Sequence, residues 1–241
     1  YETETEPLLI NNSISVRNLS FRYNENSPWV LDNISFKIEK GSRIGLIGST
    51  GSGKSTTLDL LMGLLEPTSG NLFIDDHVID DGSIRSWRQT VAHVPQSIFL
   101  ADTSIAENIA FGVPIEEINI VQVRDAAKKA MISDFIESRA EGYDELVGER
   151  GVRLSGGQKQ RIGIARALYK KASIIIFDEA TSALDNETEK VVMEAIRNLG
   201  KDLTLIIVAH RLTTLKNCSQ IIELDKGKIS NIGSYDEIIN K

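Results

Sequence analysis

The chain carries a single cysteine, Cys218, so it has no internal disulfide, as fits a reducing compartment. The plain expectation for Cys218 is a small apolar residue, buried or half-buried. Long hydrophobic runs are also missing. The longest, Ile174–Phe177 and Leu203–Ala209, fall far short of the ~20 residues a spanning helix needs. Both read as short buried strands flanked by polar residues. No secretory signal, internal repeat or low-complexity tract is visible. Positive charge is scarce: 27 Lys and Arg face 34 Asp and Glu, a formal net charge of −7. A nucleic-acid binder should carry a basic footprint, so that class of partner is excluded.

What is present suffices for one sizeable core with a smaller lobe: 241 residues, 41% of them hydrophobic. Tyr1–Pro7 is acidic and coreless, and the chain opens without a methionine, so residues 1–13 are expected to be a linker from something upstream. Ile14–Tyr23 and Ile34–Glu39 alternate apolar and polar, which predicts half-buried antiparallel strands. Arg43–Gly48 is a short apolar strand, and Lys54–Leu65 places Leu58, Leu61, Met62 and Leu65 on one helical face. Pro and Gly in Glu66–Gly70 break that helix, and Asn71–Asp80 reads as a hairpin turning near Asp75–His77.

The stretch from about Ser97 to Lys170 reads as mostly helical. Ser104 and Glu107 have capping-box spacing, which predicts a helix start near Ile105. Further helices are expected over Val121–Ser138 and from Ser155 to about Lys170. The α/β pattern then returns: strand Ile174–Phe177, helix Glu187–Leu199 with Val192, Ile196 and Leu199 inward, and strand Leu205–Ala209. A late hairpin, Ile221–Leu224 with Lys228–Asn231, closes the sequence.

Gly48-Ser49-Thr50-Gly51-Ser52-Gly53-Lys54-Ser55 matches the phosphate-loop pattern in full, between a strand and a helix. A triphosphate needs many donors at close range. Glycines let backbone N–H groups wrap the β-phosphate, and the helix at Lys54 points its positive end at the anion. Lys54 can reach the β/γ oxygens and the Ser55 hydroxyl can ligate Mg²⁺. Asp178 and Glu179 close the strand Ile174–Phe177, and in a parallel sheet that end faces the phosphate loop. Leu154-Ser155-Gly156-Gly157-Gln158 offers backbone N–H groups at a helix start, a second anion site. By chance this pentapeptide arises in roughly one chain of this length in a few thousand.

These elements, in this order, resemble the nucleotide-binding domain of an ATP-binding cassette (ABC) protein, from about Ile14 to Lys241. The resemblance implies an α/β fold over residues 14–241: a P-loop NTPase core with a mainly parallel sheet, an N-terminal antiparallel β-subdomain and an inserted α-helical subdomain at about 97–170. It implies ATP and Mg²⁺ as ligands. ATP would be held by Tyr23 stacking on adenine, by Val30 flanking the ring, and by Gly48 through Thr56. Ser55, Gln96 and Asp178 would serve the metal. Glu179 resembles the general base, His210 the switch histidine on the γ-phosphate, and Ser182–Asp185 the loop bridging two domains. His77 and His93 match nothing and read as structural. Ser155, Gly156, Gly157 and Gln158 would close on the ATP of a second copy, giving a head-to-tail dimer with two identical composite sites.

Glu145–Gly151, Val94–Leu100 and Ser104–Gly112 look exporter-like, although the family's usual form has threonine at Glu145 and glutamate at Leu146. The resemblance therefore implies the ATPase of an exporter half-transporter, joined to a membrane domain ahead of Tyr1 and placed on the cytoplasmic face of a membrane such as a bacterial inner membrane. An importer subunit, a soluble ABC ATPase and a non-hydrolytic gating module remain as alternatives. Glu179→Gln is expected to keep ATP binding while losing ~10²–10⁴ in turnover, the usual worth of a positioned base. Steady-state phosphate release beside nucleotide binding checks it, and near wild-type turnover would remove Glu179 from that role.

Overall fold

A computed structural model describes residues 6–181, 184–200, 202–209 and 212–239. Among them the chain separates into two compact units, one from Tyr1–Ala92, Ser173–Asp178 and Lys201–Lys241, the other from His93–Ala172 and Glu179–Gly200. The first half of the chain supplies β1 (Ser13–Phe21), β2 (Leu31–Glu39), β3 (Arg43–Gly48), α1 (Lys54–Leu61), β4 (Ser69–Ile74), β5 (His77–Val78), α2 (Ile84–Thr90) and β6 (Val91–Val94). Helices follow: α3 (Ile105–Ile109), α4 (Ile120–Lys129), α5 (Ser133–Glu137) and α6 (Gly156–Tyr169). Then come β7 (Ile174–Asp178), α7 (Asn186–Arg197), β8 (Thr204–Val208), β9 (Gln220–Asp225), β10 (Lys228–Gly233) and α8 (Tyr235–Ile239).

The first unit holds an antiparallel sheet ordered β2-β1-β4-β5 and most of a mainly parallel sheet ordered β10-β9-β3-β8-β7-β6. Strand β3 runs parallel to both β8 and β9, and β10 returns antiparallel to β9. The two sheets share one core that includes Ile14, Leu31, Ile34, Leu46, Leu58, Ile176 and Val208. Strand β2 alternates as expected, but β1 does not. Ser13, Ser15 and Ser20 are buried along with Ile14, Val16, Leu19 and Phe21, because β1 is flanked by β2 and β4 on both edges. The hydroxyl of Ser20 accepts the Asn33 N–H at 2.8 Å, which satisfies one of those buried groups. The strand also stops at Phe21 rather than Tyr23.

Ahead of β1, Asp75 ties the entering chain. Its carboxylate accepts the N–H groups of Asn11, Asn12 and Ser13 at 2.6, 2.7 and 2.8 Å. Burial would raise the carboxyl pKa, but the Ser13, Asn11 and Asn12 bonds outweigh it and hold the group below its usual range.

Helix α1 ends short of the expected Leu65. Gly63 takes φ +68, the Gly63 N–H reaches Leu60 O at 3.0 Å and the Leu64 N–H reaches Asp59 O at 2.8 Å. That double bond pattern is a Schellman stop, and the left-handed residue it requires is the glycine. In the second unit the expected 121–138 helix is likewise broken. Met131 takes φ +56, and the chain re-enters as α5 with Ile132 and Ile136 fully buried. Satisfying those two isoleucines outweighs continuing one straight helix. The capping box at Ser104–Glu107 is formed, and α6 packs against α3, α4 and α7.

Helix α2 had no signal in the sequence pattern. One side chain anchors it: Trp87, 1% exposed, whose Nε1–H donates to Leu61 O at 2.7 Å. Trp87→Phe should lower unfolding free energy by ~1–3 kcal/mol through the orphaned carbonyl, and Trp87→Ala by ~3–5 kcal/mol through the added cavity. Urea titrations followed by far-UV circular dichroism would read both losses.

Candidate functional site

In the first unit, β3 delivers the chain to Gly48 and α1 leaves at Lys54, so the loop between them lies at the carboxyl end of the parallel strands. Neighbouring backbone presses on it from two sides. A Cβ at Gly48 would lie 2.3 Å from Leu224 O, and one at Gly53 would lie 2.6 Å from Leu31 Cδ2 and 3.1 Å from Val30 O. Side chains at these two positions would force the loop open. The Thr57 hydroxyl donates to Gly53 O at 2.9 Å, and Thr56 is buried beside it. Ser49, Thr50, Gly51 and Ser55 are exposed, while Ser52 is buried.

Lys54 is buried, and its Nζ donates to Gly48 O at 2.7 Å and Ser49 O at 3.0 Å. No acidic residue sits in the first turn of α1, so none of the helix's own first-turn side chains offsets its positive end. An ammonium that, among the described residues, donates to two neutral carbonyls beside a helix N-terminus is arranged to receive an anion. Asp178 ends β7 level with Val208, which pairs with Leu46 on the far side of β8. Two strand spacings place Asp178 about 10 Å along the sheet edge from β3. Tyr23 is 59% exposed and meets Phe21 edge-on, with ring centroids 5.0 Å apart; Val30 is half-buried. Exposed Ser55 and half-buried Asp178 at one sheet edge fit Mg²⁺, which takes few protein oxygens and completes its shell with phosphates and water. No group of three or more His, Cys, Asp or Glu forms a metal cage among the described residues.

In the second unit, Ser155 is the N-cap of α6. Its hydroxyl accepts the Gln158 N–H at 3.3 Å, and the Gln158 side chain accepts the Ser155 N–H at 2.8 Å. Ser155 and Gln158 thus form a capping box, while Gly156 stands exposed at the first turn. Gly157 has a packing reason that sequence reasoning missed: a Cβ there would lie 2.0 Å from Thr188 Cγ2 on α7. Thr188 is pinned in turn by donating its hydroxyl to Asp185 at 2.7 Å, and Asp185 caps α7. The Thr188 N–H and hydroxyl bonds hold the Asp185 carboxyl below the usual range.

Gln96 is exposed, and its carbonyl accepts the side-chain amide of Gln160 at 2.6 Å. The same amide reaches Pro95 O at 3.2 Å, and Arg166, also on α6, donates to Phe99 O at 3.1 Å. Burial pulls Arg166 down to about 10, which leaves it charged at neutral pH. The Gln96 segment is therefore fastened to the helix that begins at Ser155, and Gln160 and Arg166 are positions the sequence motifs did not single out. Gln96, Gly156, Lys159, Ala180 and Leu184 share a groove of about 530 Å³. Glu179 is half-buried at φ +52, a left-handed backbone unusual for glutamate. His210, Ser182 and Ala183 lie outside the described residues.

Comparison with known proteins bears on this geometry. The family described as ABC transporter matches residues 31–182. The chain is 44% identical over 232 residues to the alpha-hemolysin translocation ATP-binding protein HlyB of Escherichia coli, covering 96% of this chain and 32% of that protein. It is 42% identical over 228 residues to the ATP-dependent lipid A-core flippase of Saccharophagus degradans, covering 95% of this chain and 38% of that protein. The solved structure of a bacterial Atm1-family ABC exporter with ATP bound superposes with a TM-score of 0.87 at 38% identity, over 98% of this chain and 41% of that one. The chain thus spans well under half the length of these relatives.

The Gly157–Thr188 contact is testable by a double-mutant cycle. Gly157→Ala alone should destabilise by ~1–3 kcal/mol through overpacking. In the Thr188→Ser background the clash is gone, and alanine's helix preference of ~1 kcal/mol should make the same change neutral or stabilising. Urea midpoints of the four proteins give the coupling.

Proposed function

The chain belongs to the ABC transporter family, and on that premise we propose that it is the ATP-binding, ATP-hydrolysing motor domain of an exporter. The observation that carries the reading is Lys54, buried with its ammonium on the carbonyls of Gly48 and Ser49 at the open N-terminus of α1. When ATP enters, Lys54 exchanges neutral acceptors for the anionic β/γ oxygens, and the amides of Gly48 to Thr56 close on the phosphates. Tyr23 stacks on adenine and Val30 flanks it. Bound Mg²⁺, held by Ser55, Asp178 and Gln96, would neutralise charge on the β/γ oxygens. Glu179 orients and deprotonates the attacking water. His210 contacts the γ-phosphate. Phosphoryl transfer leaves the protein mainly positioning and electrostatic work, which these groups share.

The phosphate loop belongs to one compact unit and Ser155–Gln158 to the other. A second copy supplies Ser155, Gly156, Gly157 and Gln158 to each ATP, head to tail, and Ser182–Asp185 bridges the two copies. The first residues link the domain to a membrane part of the same transporter; Ile10 already packs in the domain's core and Ser13 opens β1, so the ATPase begins ahead of residue 14 and runs to 241, with about 97–170 its helical part. The HlyB and flippase relatives support an exporter over an importer or a soluble ABC ATPase, and a working position on the cytoplasmic face of a membrane, such as a bacterial inner membrane.

If two copies are needed for each hydrolytic event, turnover per chain must rise with concentration until the dimer saturates. ATPase assays across a wide protein range should give a rate that climbs close to the square of concentration at the dilute end. A strictly proportional rate throughout would refute the shared site.

A further inference from the structure

The β9–β10 turn lies beyond residues 31–182, the span that matches the family. It nevertheless touches both arms of the nucleotide site. The Gly227 N–H donates to Ser52 O of the phosphate loop at 3.1 Å, and Gly227 O accepts the Asp32 N–H at 2.8 Å. Gly227 takes φ +78, and a Cβ there would lie 2.4 Å from Val30 O and 3.0 Å from Val30 C. Lys228 on the same turn pairs with Asp32, Nζ to Oδ2 3.0 Å. Leu224 O, at the end of β9, closes on Gly48. The segment entering at Val30 is itself tied back to the Tyr23 arm, since the Val30 N–H donates to Phe21 O at 2.9 Å.

From this we infer that Gly227 is a positioning residue for nucleotide binding: a side-chain-free spacer that sets the distance between the phosphate loop and the Tyr23–Val30 base site. The inference rests on the ATP reading of Gly48–Ser55. A bound nucleotide spans both arms at once, so its affinity depends on their separation being right beforehand. Phosphate alone engages one arm and does not depend on it. The turn must be backbone only, because it passes a donor to one arm and an acceptor to the other while in contact with the Val30 carbonyl. Any Cβ at 227 has to push Val30, and with it the Tyr23 arm, away from the loop.

The test compares ATP with inorganic tripolyphosphate, which carries the phosphates and no base. Gly227→Ala should weaken ATP, as KM and as Kd, by about tenfold, the order of one lost base-stacking contact. Its kcat at saturating ATP and its tripolyphosphate inhibition constant should stay at wild-type values. Gly112→Ala is the control: Gly112 has φ +87 with nothing within 4 Å of a Cβ, so it adds the same backbone strain without the push. It should leave both ligands unchanged. Equal weakening of ATP and tripolyphosphate in Gly227→Ala would overturn the spacer role, and so would no change in either. Should Gly227→Ala fold poorly, amide hydrogen exchange on the wild-type chain decides. ATP should slow exchange at Gly227 and Asp32 more than tripolyphosphate does, and equal protection by the two ligands would overturn the inference. A wild-type chain that binds neither ligand would instead remove the ATP reading itself.

Discussion

A polyanion held by backbone amides requires the chain to come close to it, and side chains stand in the way. That constraint organises the first unit. Strand β3 ends at Gly48 with Leu224 O against it on one side, and Gly53 has Val30 and Leu31 against it on the other. The loop is gripped by neighbouring main chain, so its amides are oriented before any ligand arrives, and preorganised donors cost little rearrangement at binding. The core beneath, with Leu46, Leu58, Val208 and Leu224 from four different elements, fixes those neighbours in place.

The second unit repeats the device with different means. Helix α6 begins with a serine cap and two glycines, and the second glycine is needed because Thr188 of α7 occupies the space a side chain would take. The same helix carries Gln160 and Arg166, which hold the carbonyls of Pro95, Gln96 and Phe99. The start of α6 and the segment bearing Gln96 are thereby parts of one packed body.

Much of this was legible in the sequence because the motifs are local. Gly48–Ser55 states its own strand, turn and helix, and the Ser104–Glu107 box predicted the start of α3. What failed to show depended on partners distant in the chain. The stop of α1 at Gly63 was masked by Leu65, an apolar residue in helical register that packs against the core after the chain has already turned. Helix α2 has only Trp87 and Thr90 buried, too few for a periodic signal. The burial of Ser15 and Ser20 in β1 follows from having a strand on each edge, which alternation alone does not report. Gly157 reads as a ligand residue in sequence, and its packing role stays hidden there because Thr188 meets it from α7. The turn at Gly227 read as an ordinary hairpin, since its contacts with Ser52 and Val30 join positions far apart in sequence.

We propose that this chain carries two halves of an ATP site that only another copy can complete. The direct measurement is the sedimentation mass of the Glu179→Gln chain, chosen so that bound ATP persists, with and without saturating ATP. The expected masses are one chain of 26.6 kDa without nucleotide and twice that with it. A single-chain mass at saturating ATP, with the nucleotide demonstrably bound, would contradict it.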